Sequence, residues 1–234
     1  MPNRSISVEA DFARHYYEVA SSDHWWFRGR KSLVRDLVAR AGLADGLALD
    51  IGAGSSTMFP GGLTTVRLDT VIPDPLGDDR FVKASALELP IRSNVCGFVG
   101  LFDVVEHIED VSRLLREVSR VLTPAGWLMV TVPAHQWLWS KHDEQAHHLR
   151  RYSETMLSDT LERAHFTVVW CGQFYGFLVL PALMRRILRI RGGMGQSKPL
   201  VNGLLTGLAE RSTKVALRRK GIGLSIGVMA RAAS

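Results

Sequence analysis

Four residues have types and a spacing that could do chemistry. Asp50, Gly52 and Gly54 stand in "ALDIGAGSS" (48–56), and Asp69 follows 19 positions after Asp50. Glycines on both sides of Ala53, straight after an apolar run, leave no Cβ to collide with a ligand lying on the main chain. A carboxylate at the end of the following strand is spaced to accept hydrogen bonds from ribose hydroxyls. A dinucleotide would ask for a third glycine at position 57, where Thr57 stands, and its pyrophosphate would be repelled by Asp50. A ligand with a ribose, no phosphate and a positive charge suits both carboxylates better.

A second constellation lies in "VPAHQWLWSKHDEQAHHLRRYS" (132–153). His142 and Asp143 are the candidate proton acceptors, with His147 and His148 as substitutes. Imidazole titrates near pH 6.5, so it can be neutral and still basic near neutrality. Arg151, with Arg150, could grip an acidic group through paired N–H donors, and His148 would contact the same substrate. Both arginines could equally anchor the loop on carbonyls and carboxylates. The His142 to His147 spacing is not the i, i+4 pair of a helical zinc site, and no metal is expected. Near the start, "HYYEVASSDHWWFRGRK" (15–31) offers Tyr16 and Trp26 as further substrate contacts and Arg28 or Arg30 for a ligand carboxylate. A helix packed on the core would show the same aromatic residues.

These residues need a scaffold. "KSLVRDLVARAG" has helical spacing and a glycine stop, "GLALDIG" reads as a short buried strand, and "TTVRLDT" and "RFVKASAL" as two more. "CGFVGLFDVV" is apolar on both faces, as a strand in a covered parallel sheet must be. "DVSRLLREVSRVL" is an amphipathic helix capped by Asp110, "GWLMVTVP" a fifth strand, "SETMLSDTLERA" a helix capped by Ser153, and "FTVVWCGQF" a sixth strand. "GIGLSIGVMARA" can be a seventh. This alternation predicts an α/β fold, a Rossmann-like, doubly wound, mostly parallel seven-stranded sheet with helices on both faces. One domain is expected over 1–234: a helical cap at 1–42, a cofactor-binding core at 43–175, a helical insertion over the active face at 176–220 and the last strand at 221–234.

Several motifs together resemble one family. "LDIGAGS" is similar to the glycine-rich first motif of class I S-adenosylmethionine-dependent methyltransferases, with Ser56 in place of its third glycine. "VRLDT" resembles the ribose-binding acid motif. "ASALELP" resembles the adenine segment, with Ser85 where an Asp is usual, and "GFVGLFDVVEHIED" the fourth-strand motif ending in Glu106 and His107, with Gly97 where an Asp is common. "LREVSRVLTPAGWLMVTVP" resembles the next helix and strand. The likeness spans roughly 30 to 170, and the 132–153 loop resembles that of a bacterial small-molecule, type 11-like group. It implies S-adenosyl-L-methionine as cofactor, held by Asp50, Gly52, Ala53, Gly54, Asp69, Ser85, Ala86, Phe102 and Arg30. His107 would then cap the fourth-strand loop.

Composition limits the rest. The 234 residues hold two cysteines, Cys96 and Cys171, too few for a disulfide framework, and the first residues lack the apolar core of a secretory signal, so a cytoplasmic enzyme is expected. The net charge of +6 is regional: 185–220 carries ten basic residues and one acid, and the remainder sums to −3. Beside the apolar run "FYGFLVLPALM", too short to span a bilayer, that stretch allows peripheral membrane contact. Nucleic acid is a weaker partner, because no Asn-Pro-Pro-Tyr-type motif follows the fourth strand. The expected reaction is in-line methyl transfer to a small, hydrophobic or lipid- or polyketide-like acceptor. The alternative is a catalytically weak cofactor-binding module that associates with a membrane or a partner through 174–220.

Overall fold

The computed structural model describes residues 24–42, 46–71, 80–187, 199–219 and 221–233. Tyr16 lies outside them. The strands are β1 (Leu47–Ile51), β2 (Thr64–Asp69), β3 (Phe81–Lys83), β4 (Cys96–Phe102), β5 (Leu122–Pro133), β6 (Phe166–Phe174) and β7 (Ser225–Ala232). They form one sheet in the order β3-β2-β1-β4-β5-β7-β6. All neighbours are parallel except β7, which runs antiparallel to both β5 and β6. The carboxyl ends of β1 to β5 therefore share one edge, and the order reverses between β1 and β4, where such sheets bind ligands.

Helix α1 (Trp25–Ala41) begins earlier than its apolar pattern suggested, because His24 caps it by accepting from Trp26 N–H (3.3 Å). It stops where Gly42 adopts φ 72°, a left-handed conformation that glycine takes without strain. Helix α2 (Val111–Val121) is capped by Asp110, which accepts from Arg113 N–H (2.9 Å), and buries Leu114, Leu115, Val118 and Val121 against the sheet. Each such side chain contributes about 1.5–3 kcal/mol by leaving water. Helix α3 (Lys141–Gln145) is a single turn, and α4 (Glu154–Arg163) is capped by Ser153 and packs Leu157 and Leu161 beside α2 in the same core.

The opposite face is covered by α1 with α6 (Pro199–Ala216), while α5 (Val179–Ile187) follows a short turn after β6. Thr206, Ala209, Thr213 and Ala216 form the buried stripe of α6. Small residues let the helices approach closely: a Cβ on Gly29 would lie 2.9 Å from that of Ala209. Within 176–220, the described residues hold the helices Val179–Ile187 and Pro199–Ala216. Helix α6 packs along α1 and β6 and forms part of the core layer on this face.

Candidate active site

The loop after β1 owes its shape to both glycines. Gly52 and Gly54 have φ of 71° and 54°, and Gly52 and Ala53 donate to Leu68 O (2.7 and 3.2 Å), which ties the loop to β2. A Cβ on Gly52 would lie 2.5 Å from Val104 Cγ2, so this glycine also admits the segment after β4. Gly54 N–H donates to Asp69 Oδ2 (2.9 Å), while Asp69 Oδ1 accepts from Thr70 N–H (2.7 Å). Ala84 N–H donates to Asp69 O (3.0 Å), which sets the start of the 84–86 segment beside Asp69. Ser85 is exposed and its Oγ accepts from Leu87 N–H (3.2 Å), turning the chain at Ala86.

Asp50 faces inward. It is 1% exposed, and its Oδ2 accepts from Thr57 Oγ1–H (2.7 Å) and Met58 N–H (2.9 Å). Burial pushes its carboxyl up to about 6, against these two bonds and the charges of Arg67 and Lys31, which pull it down. The expected direct role beside a cationic ligand gives way to another: this carboxylate closes the 51–58 loop. Thr57, where a dinucleotide site would need glycine, supplies the hydroxyl that does it.

Two other expectations change in the same way. Arg30 is buried, and its Nη2 pairs with Asp103 Oδ2 (2.6 Å) and reaches Ser225 Oγ (3.3 Å), with its guanidinium 4.1 Å from the Trp26 ring centre. Its charge is balanced inside the protein, so it positions Asp103 and Trp26 and does not present itself to a ligand carboxylate. Arg28 points elsewhere, near Glu210 (3.9 Å). Phe102 is buried against Phe59 (ring centres 5.6 Å apart) and supports the edge from beneath.

In the loop after β5, Asp143 is fully buried and saturated. It accepts from Ser140 N–H (2.8 Å), Ser140 Oγ–H (3.0 Å), His148 Nδ1 (2.9 Å) and Arg151 Nε and Nη2 (2.7 and 3.1 Å). Burial alone would raise its carboxyl, but the bonds from His148 and Arg151 outweigh it and hold the group far below the usual carboxylate range. Asp143 is therefore an anchor, not a proton acceptor. Arg151 also donates to Ala134 O (3.0 Å), so it serves the loop, the reading left open beside substrate contact. The ring of His142 lies 6.5 Å from that of His148, and it remains the half-buried imidazole of this turn.

Asp103 and Glu106 carried no role in the sequence reading. Asp103 follows β4 with φ 57°, and its Oδ1 accepts from Thr131 Oγ1–H (3.1 Å). Glu106, in the turn Val105–His107, is wholly buried, and burial together with the Asp103 carboxylate pushes it well above the usual range. The signal was present in "DVVEH", two acids three apart after an apolar strand, but only the fold shows that both point inward.

A family model for a methyltransferase domain matches residues 26–170. Two Mycobacterium tuberculosis proteins assigned as S-adenosylmethionine-dependent methyltransferases are 34% identical over 98 residues, covering 41% of this chain and 36% of theirs. The match thus spans about a third of the length of those relatives. Among solved structures, a Galdieria sulphuraria protein assigned as a sarcosine dimethylglycine methyltransferase shares the fold (TM-score 0.60, 15% identity, 95% of this chain and 98% of that one). So does Haemonchus contortus phosphoethanolamine N-methyltransferase 2 in complex with S-adenosyl-L-methionine (TM-score 0.53, 18% identity, 85% and 52%). With its strand order, its glycine loop and a family match over more than half its length, the chain belongs to the methyltransferase-domain family.

Proposed function

We propose that this chain transfers a methyl group from S-adenosylmethionine to a small acceptor at the shared edge of β1 to β5. The observation that carries this is the convergence of three parts: the left-handed Gly52–Gly54 loop, the Asp69 carboxylate at the end of β2 and the Ser85–Ala86 turn at the end of β3. They fit the cofactor in kind: open main chain for its amino-acid portion, a carboxylate for ribose hydroxyls and a polar turn for the adenine edge. When bound, it supplies a methyl group already activated by a sulfonium centre.

The protein's part is alignment and proton removal. The acceptor enters between Asp103, the 135–152 loop and Trp26, where His142 takes the proton if the acceptor atom carries one. Apolar and aromatic neighbours, Trp26 and Phe177 among them, favour a hydrophobic, lipid- or polyketide-like acceptor.

Calorimetry with S-adenosylmethionine tests the cofactor part. The wild type is expected to bind, and Asp69→Ala to bind at least about tenfold more weakly, the scale of two lost hydrogen bonds to a charged group. Unchanged affinity in a folded Asp69→Ala protein would reject the placement. Release of S-adenosylhomocysteine across a panel of apolar hydroxyl, amine and activated-carbon acceptors then tests the acceptor class.

A second reading concerns location. Helix α6 exposes Leu200, Leu204 and Leu208 on the face that also carries Arg211 and Lys214, which supports contact with an anionic lipid surface alongside catalysis. No described helix is long and apolar enough to cross a membrane.

A further inference from the structure

Glu106 is 0% exposed, and neither of its carboxylate oxygens has a hydrogen-bond partner among the described residues. A buried carboxylate left without donors is costly, and proteins retain one where something complements it. The nearby guanidinium groups have other duties: Arg30 pairs with Asp103, and both Arg151 Nε and Nη2 bond Asp143. What stands next to Glu106 is a pair of imidazoles. One ligand atom each from Glu106, His107 and His148 lies within 4.8 Å of the others.

We propose that Glu106, His107 and His148 form a divalent-cation site beside the acceptor space. One carboxylate and two imidazoles select a first-row transition ion such as Zn2+ or Fe2+ over Mg2+, which prefers all-oxygen surroundings. Three protein ligands leave coordination positions open, so the ion can take an oxygen of the acceptor and draw it to the edge where Asp103 and His142 stand.

The outer contacts are those of a metal centre. His148 gives its Nδ1 to Asp143 (2.9 Å), which leaves Nε2 for an ion, and Asp143 is itself fixed by Ser140 and Arg151. A ligand imidazole whose second nitrogen is held by a carboxylate or a carbonyl is oriented before the ion arrives. Leu149 N–H donates to Glu106 O (2.8 Å), joining the loop that bears His148 to the turn that bears the other two. Ligands about 2.1 Å from a shared ion lie at most about 4.2 Å apart, so the site needs only a small inward rotation. Exposed His107 provides the way in.

The site stands whether or not methyl transfer is the reaction, and its test needs no turnover. Untagged full-length protein, stripped with a chelator, is titrated with Co2+ and followed by its visible ligand-field absorption, then with Zn2+ and Mg2+ by calorimetry. The expected result is one Co2+ or Zn2+ per chain, much weaker Mg2+, and at least about tenfold loss of Co2+ affinity in both Glu106→Gln and His107→Ala. No bound ion, or a Co2+ affinity unchanged in His107→Ala, overturns the proposal, the latter as adventitious binding. His107 is on the surface, so its variant decides the matter if Glu106→Gln does not fold. S-adenosylmethionine binding is measured on the same samples: retained cofactor binding without Co2+ binding rejects this site alone, and Co2+ binding without cofactor binding rejects only the methyl-transfer reading.

Discussion

Asp50, Asp69, Asp103, Glu106 and Asp143 are five carboxylates gathered at one edge of a sheet, and their surroundings assign them different work. Asp143 meets five donor atoms and stays charged, Asp103 meets Arg30 and Thr131, and Asp50 meets two uncharged donors in a buried place. The last arrangement has a pH signature. Because the carboxyl of Asp50 is raised from 3.8 to about 6, the folded protein holds a proton that the unfolded chain releases, so its stabilising share is complete below pH 3.8 and is lost as pH rises through about 6. Asp50→Asn keeps an oxygen acceptor for Thr57 and Met58 without the titration. Urea unfolding of both proteins from pH 4 to pH 7 is expected to show the wild type losing about 2 kcal/mol relative to the variant over that range. Parallel pH profiles would mean that the carboxylate is not confined as described.

Between residues and the whole molecule lies the question of what holds the segment after β3, which has little structure of its own. Helix α2 holds it by side chains: Arg120 Nη1 and Nη2 donate to Ile91 O and Leu89 O (2.8 and 2.9 Å), Glu117 Oε2 accepts from Leu89 N–H (2.7 Å), and Arg113 Nε donates to Leu87 O (3.0 Å). The segment that would cradle adenine is thus fixed from the helix that follows the next strand in the chain. Arg120→Ala is expected to weaken S-adenosylmethionine about fivefold, roughly 1 kcal/mol, and to speed hydrogen exchange at the Leu89 amide while leaving α2 protected. Normal exchange at Leu89 would place the support elsewhere. Such ties mark the limit of what the chain order discloses. The apolar periods gave α2, α4 and most strands, and Asp110 and Ser153 announced their caps, because those signals are local. Strand β5 starts at Leu122, ahead of the expected "GWLMVTVP", because the chain leaves α2 directly into the sheet and bulges past Pro124 before pairing with β4 again. The Arg30–Asp103 pair and the meeting of His148 with Glu106 and His107 join segments far apart in the chain, so no local pattern could have announced them. Nor could one show that Asp103, His135 and Tyr175 leave β4, β5 and β6 with φ of 57°, 61° and 63°, strain that gathers at the functional edge.

On the scale of the molecule, the regional charge found in the sequence acquires a shape. Helix α6 buries Thr206, Ala209, Thr213 and Ala216 on one side. Its other side exposes Leu200, Leu204 and Leu208 toward the start and Arg211 and Lys214 toward the end, with Val215 beside them and Arg218 exposed in the turn that follows. Apolar side chains that enter an interface and cations that meet lipid phosphates reinforce one another, each cation near an anionic surface contributing about 1 kcal/mol. Since α6 also packs on α1, whose Trp26 and Arg30 reach the active edge, such docking would set that edge at a fixed height above the lipid, suited to an acceptor drawn from it. Sedimentation with vesicles containing anionic phospholipid is expected to carry the protein down at low salt and to lose it as salt rises past the point where the Debye length falls below about 8 Å. Arg211→Glu with Lys214→Glu is expected to abolish the binding while leaving S-adenosylmethionine affinity unchanged, since neither side chain approaches the glycine loop. Equal binding to uncharged vesicles, or an unaltered charge-reversed protein, would remove the electrostatic part and with it the membrane reading of this face.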